Sequence, residues 1–210
     1  MPATASKAQG SDGVGRALVT TAFFLSGAAA ILYQILWQRA LFTIFGTSSE
    51  SVTLVVTAFM LGLGLGSLVG GALSHYGRPI VLFGLIEAGI GLFGMVSLPL
   101  FRWVGVHTAS AAGLEVGLLS FAVLLVPTLL MGATLPLLSA DLVRATTNVG
   151  ASVGDLYAVN TLGSAAAAMA APHLLFPNVG QSAAVYLAGG INLVVATTIL
   201  GRELTRKRTP

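Results

Sequence analysis

Residues 26–46 read SGAAAILYQILWQRALFTIFG. The stretch begins small and apolar, as a helix packed in lipid does. Tyr33, Gln34, Trp37, Gln38 and Arg39 then arrive within seven residues. Polar and aromatic groups gathered toward one end of an apolar run mark a helix reaching a membrane surface. Arg39 falls about 22 residues into a run that starts near residue 17, roughly 33 Å along a helix. At that depth its guanidinium can snorkel to headgroups, and Trp37 fits an interfacial aromatic belt. Tyr33 and Gln34 lie a turn or more deeper, and Gln34 is a candidate lining residue for a cavity opening outward.

The whole chain extends the same pattern. Of its 210 residues, 55% are hydrophobic and 8% charged. A soluble domain carries about a quarter of its residues as charges. Apolar runs of about 20 residues recur instead, long enough for a bilayer core of about 30 Å. They are too long and too continuously apolar for barrel strands. The fold class expected is an all-α integral membrane protein. The chain has no cysteine, which excludes disulfides, thiolate metal sites and a cysteine nucleophile. Its net charge of +3 comes from basic residues flanking apolar runs, so no nucleic-acid partner is expected. His75, His107 and His173 lack metal-ligand spacing, and GLGLGSLVGG follows no strand, so neither a metal nor a cofactor is expected.

Six spans are expected, near 17–44, 51–74, 79–101, 113–140, 153–176 and 181–201. They form one transmembrane domain over 17–201, between a disordered tail (1–16) and a basic tail (202–210). One side would carry Lys7, Arg16, Arg78, Arg144, Arg202, Arg206, Lys207 and Arg208, and the other only Arg39 and Arg102. From that bias both termini are expected in the cytoplasm. Gly62, Gly66 and Gly70 recur every four residues, as do Gly163, Ala167 and Ala171. Such faces let helix backbones approach closely. Breaks are expected at Pro127, Pro136, Pro172 and Pro177. Thr128, beside Pro127, is either part of a static kink or a cavity wall.

Ionisable groups inside a span face protein or water. Glu87, in LIEAGIGLFG, lies roughly 12 Å inside the cytoplasmic edge, and Asn160 roughly 10 Å, counted at the helical rise. Asn192 falls close to the same layer. A shared polar layer is therefore possible, serving either as structural glue or as a path for a solute or proton. Asp155 at the start of a span suits the positive end of the helix dipole. Glu50 and Glu115, at outer ends, are possible partners for Arg39 or Arg102.

SGAAAILYQILWQRALFTIFG, AFMLGLGLGSLVGG, LIEAGIGLFG, VPTLLMGATLPLL and VGDLYAVNTLGSAAAA, in that order, closely resemble the membrane module of bacterial fused proteins. In these fusions a major facilitator superfamily (MFS)-like part joins a spermidine-synthase-like part. The resemblance spans about residues 25–200. It implies an MFS-like half of six helices, arranged as two inverted three-helix repeats. The loop GGALSHYGRP also resembles the superfamily's loop signature. Gly77 and Arg78 match it, making Arg78 a candidate gate residue, while Ser74 or His75 stands where an acid belongs. In the family this module commonly precedes a soluble aminopropyltransferase-like domain that uses decarboxylated S-adenosylmethionine. The present sequence shows no such domain, so no enzyme activity is expected of it. Two functions follow from the resemblance. One is small-solute transport, polyamine included, by a homodimer whose path Glu87, Asn160 and Gln34 line. The other is a non-catalytic membrane subunit or anchor in a hetero-complex with an aminopropyltransferase-like enzyme.

Overall fold

The computed structural model describes residues 3–46, 48–110, 113–145 and 149–206. Among these every regular element is helical. Helix α1 spans Ala3–Phe45, α2 Ser48–Leu73, α3 Pro79–His107, α4 Gly113–Ala145 and α5 Val149–Ala170. A π-helical segment, Ala171–Leu175, then leads into α6, Phe176–Arg206.

Local chemistry sets the ends. Gly46 sits at φ 71°, and its N–H reaches the Phe42 carbonyl at 2.9 Å, closing α1 in a conformation that suits glycine. Arg78 is extended and Pro79 opens α3, where its missing N–H removes no helical bond. Pro127 and Pro136 lie inside α4, which runs through both without interruption. Pro172 lies in the π-helical segment, whose wider turn tolerates a missing donor.

Among the described residues, five segments are long and apolar enough to cross a membrane: Gly15–Phe45, Ser49–Leu73, Pro79–His107, Gly113–Arg144 and Val149–Thr205. The first four occupy the places expected of the first four spans. The last contains both the fifth and the sixth expected spans, so five apolar segments stand where six separate spans were expected. The stretch PHLLFPNVGQ between them stays helical instead of forming a polar loop, and the helical path breaks only at Gly180, φ 75°. Helix α1 also takes in most of the expected tail over 1–16, and α6 runs through the basic end as far as Arg206. Residues 207–210 lie outside the described residues.

Three helix pairs dominate the packing: α2 with α4, α3 with α6, and α1 with α5. The glycine faces explain two of them. A Cβ on Gly62, Gly66 or Gly70 would run into Thr128, the Leu129 carbonyl or Ala133 on α4. A Cβ on Gly163 would meet the Phe24 backbone of α1, and one on Gly27 the Asn160 carbonyl. At Gly66, Gly70, Gly27 and Gly163 a Cβ would strike backbone atoms of the facing helix, and at Gly62 the Thr128 side chain, so each glycine permits a close approach.

Each pair also carries one arginine contact at the same end of the bundle. Arg16 on α1 reaches Asp155 on α5 at 2.9 Å. Arg144 on α4 donates to the Ser74 carbonyl, just past α2, at 3.0 Å. Arg78, leading α3, pairs with Glu203 on α6. Helix α1 also touches α2, α3, α4 and α6, and it buries Tyr33, Leu36, Trp37 and Leu41.

Candidate functional site

Glu87 is the acidic group that the fold places deepest, with 0% of its surface exposed. It lies on the buried face of α3 with Phe83, Ile90, Gly91 and Gly94, spaced three and four apart. Gly84 and Gly91 face Leu200 and Leu193 of α6, so α6 comes close. This proximity brings Asn192 to the carboxyl: its Nδ2 donates to Oε2 at 2.6 Å. From α1, Ser26 Oγ donates to Oε1 at 2.6 Å. Both carboxyl oxygens thus hold a donor, each from a different helix, as a buried polar group requires. Asn192 Oδ1 is buried with no hydrogen-bond partner among the described residues.

Two turns further along α1, an aromatic cluster continues this centre. Tyr33 stacks on Trp37 with ring centroids 4.8 Å apart. Phe93 and Phe101 of α3 and Phe59 of α2 surround Trp37. Gly94 leaves room for the Tyr33 ring and hydroxyl, which a Cβ there would strike. The Tyr33 hydroxyl and Trp37 Nε1 are buried without hydrogen-bond partners among the described residues.

The residues singled out in the sequence divide as follows. Glu87 and Asn192 meet. Asn160 does not join them; its Nδ2 donates to the Phe23 carbonyl of α1 at 3.1 Å, beside the Ser164–Gly27 hydrogen bond of 2.9 Å. Gln34 is half-buried, with no hydrogen bond to Glu87 among the described residues. Thr128 is fully buried, and its hydroxyl lies within reach of the Leu124, Leu125 and Ala58 carbonyls, tying α4 to itself and to α2. Trp37 lies at 0% exposure in the core rather than in an interfacial belt; Trp103, at 49%, is the exposed tryptophan. Arg39 is exposed, with its guanidinium 4.8 Å over the Phe176 ring. Arg78 has an acid partner after all, supplied by Glu203 of α6 and not by the loop.

Sequence reading missed Ser26 and Glu203. Ser26 is one hydroxyl among small residues, and only the rotation of α1 aims it at Glu87. Glu203 sits in a basic tail, where its spacing carried no partner signal. Among the described residues there is no cluster of metal-ligating side chains. The polar centre holds a carboxyl, an amide and a hydroxyl, a set suited to hydrogen bonding and to holding a proton or a cationic group.

A helical bundle with a buried Glu87–Ser26–Asn192 centre is thus the class that the geometry defines. No family model matches the chain, and no solved structure does. Three curated proteins do. The chain is 31% identical over 204 residues to "Polyamine aminopropyltransferase 2" of Streptomyces coelicolor, covering 92% of this chain and 36% of that protein. It is 28% identical over 190 residues to "Polyamine aminopropyltransferase 1" of the same organism, covering 88% and 34%. It is 27% identical over 202 residues to "Polyamine aminopropyltransferase" of Corynebacterium efficiens, covering 94% and 37%. The chain spans about a third of the length of the curated relatives it matches.

These similarities correct two expectations. Solute transport as the function is overturned, because the relatives are named for aminopropyl transfer in polyamine chemistry. The exclusion of enzyme activity falls with it, because the same relatives are named as enzymes. The spermidine-synthase side of the resemblance agrees with their names.

Proposed function

We propose that this chain serves polyamine synthesis, as the membrane-embedded helical part of an aminopropyltransferase-type protein. The observation that carries the proposal is the similarity over 88–94% of the chain to three polyamine aminopropyltransferases. The long apolar segments support a place in a bilayer, with the helices holding the reaction at the membrane. We further propose six crossings, with both termini in the cytoplasm and an MFS-like half as the arrangement. The segment Val149–Thr205 supports two crossings: 57 residues extend about 85 Å as a helix, nearly three times a bilayer core. The break at Gly180 offers the point of return. In this reading the Glu87–Ser26–Asn192 centre locks α1, α3 and α6 together. Association with a second copy or with another subunit belongs to the same proposal.

The test is aminopropyl transfer to a diamine acceptor, measured by mass spectrometry in membranes from cells with and without the gene that encodes this chain. Activity sedimenting with the membrane and disappearing with the gene is the expected result. Unchanged membrane activity and unchanged cellular polyamines after removal would sink the proposal.

A further inference from the structure

At the end of the bundle opposite the three arginine contacts, a cleft of about 940 Å³ opens between α1, α3 and α6. Arg39 of α1 and Arg102 of α3 both line it, and among the described residues no acidic side chain does. The two guanidiniums differ from Arg16, Arg78 and Arg144, each of which has a hydrogen-bonded partner. Neither Arg39 nor Arg102 forms an ion pair among the described residues. Phe176 lies beneath Arg39 at 4.8 Å and orients it without neutralising it. Gln181 and Ser182 line the same cleft directly after the break at Gly180, adding neutral donors on the α6 side. Apart from Thr43, whose hydroxyl donates to the Ala40 carbonyl at 2.6 Å, the rest of the wall is apolar, with Leu98, Phe101 and Val185 among it.

Two uncompensated cations over an apolar wall match one ligand shape: an anionic head on a hydrocarbon body. Guanidinium groups bind phosphate oxygens through paired N–H donors. The neighbouring Trp103 is about half exposed, as an aromatic ring at headgroup level is. We propose that this cleft binds an anionic phospholipid, with its phosphodiester between Arg39 and Arg102 and an acyl chain along the apolar wall.

The test uses the full chain, extracted and exchanged into neutral detergent. Native mass spectrometry then counts retained phosphatidylglycerol against phosphatidylcholine. Wild-type protein should retain the anionic lipid about tenfold better, the ratio that roughly 1.4 kcal/mol of charge-assisted bonding gives. Arg39→Gln/Arg102→Gln should bring phosphatidylglycerol down to the phosphatidylcholine level, while Arg202→Gln, at the other end, should not. If the double variant does not fold, Arg102→Gln alone decides. Its exposed side chain has no described partner, and retention should fall several-fold through the loss of one charge-assisted contact. Equal retention by wild type and the variants would overturn the site. Displacement of the lipid by millimolar inorganic phosphate would overturn the lipid assignment and leave a soluble anion as the ligand.

Discussion

Asn192 on α6 donates to the Glu87 carboxyl on α3 at 2.6 Å, where the acid has no exposed surface. The contact joins two residues more than 100 positions apart in the chain. It also fixes how each substitution at Glu87 should behave. Glu87→Gln keeps an acceptor for Ser26 and gains an N–H. If the Asn192 amide turns over, its Oδ1 receives that N–H. The variant should therefore stay within about 1 kcal/mol of wild type. Glu87→Leu leaves Ser26 and Asn192 without their acceptor and should cost about 1–3 kcal/mol. Equilibrium unfolding in detergent micelles measures both. Equal losses for the two variants would contradict the hydrogen-bonded arrangement.

Glycines in α2 should differ sharply in what they tolerate. Gly66 faces the Leu129 carbonyl, so Gly66→Leu must push α2 off α4, costing about 3 kcal/mol or more. Gly64 has nothing within 4 Å of a built Cβ, and Gly64→Leu should leave stability unchanged or raise it through helix propensity, by up to about 1 kcal/mol. The yield of monodisperse protein on size-exclusion chromatography separates the two outcomes.

The Arg78–Glu203 pair links the start of α3 to the end of α6. Arg78 is about half exposed, so the coupling should be modest, near 1 kcal/mol. A double-mutant cycle of Arg78→Gln and Glu203→Gln, read by unfolding midpoints, measures it. Additive losses would mean that the pair contributes no coupling.

Only two tryptophans are present, and they occupy opposite environments. Trp37 is fully buried and Trp103 about half exposed. Trp103→Phe should leave a fluorescence signal that aqueous iodide quenches weakly. Trp37→Phe should leave one quenched several-fold more strongly if Trp103 lies near the headgroups. Similar quenching of both variants would refute the burial of Trp37.

Much of this was readable from residue order, for a definite reason. Apolar run length reports membrane-length helices directly, so Ser49–Leu73 and Gly113–Arg144 lie where they were expected. The four-residue spacing of Gly62, Gly66 and Gly70 defines one face, and that face meets α4. Depth along a helix placed Glu87 level with Asn192, and they touch. The azimuth of each helix was not readable. Asn160 lies at a similar depth, yet it faces α1, and Trp37 points inward where its position along the chain suggested an interface. Depth is a count along one chain, whereas azimuth depends on which neighbour lies where. The joined segment Val149–Thr205 has another cause: its two halves are linked through a π-helical turn and depart from helical geometry at Gly180, with no loop between them.

Because the three arginine contacts all sit at one end, the bundle has the mechanics of pliers. The joined end acts as a pivot, and small rotations about it are magnified at the jaws. Helix α3 has 29 residues, about 44 Å, so a tilt of roughly 5° about the riveted end moves its far tip by about 4 Å. The tip carries Arg102, and its displacement relative to Arg39 sets the width between the two guanidiniums. A bilayer that squeezes or stretches the helices would therefore be read out first as a change in that gap.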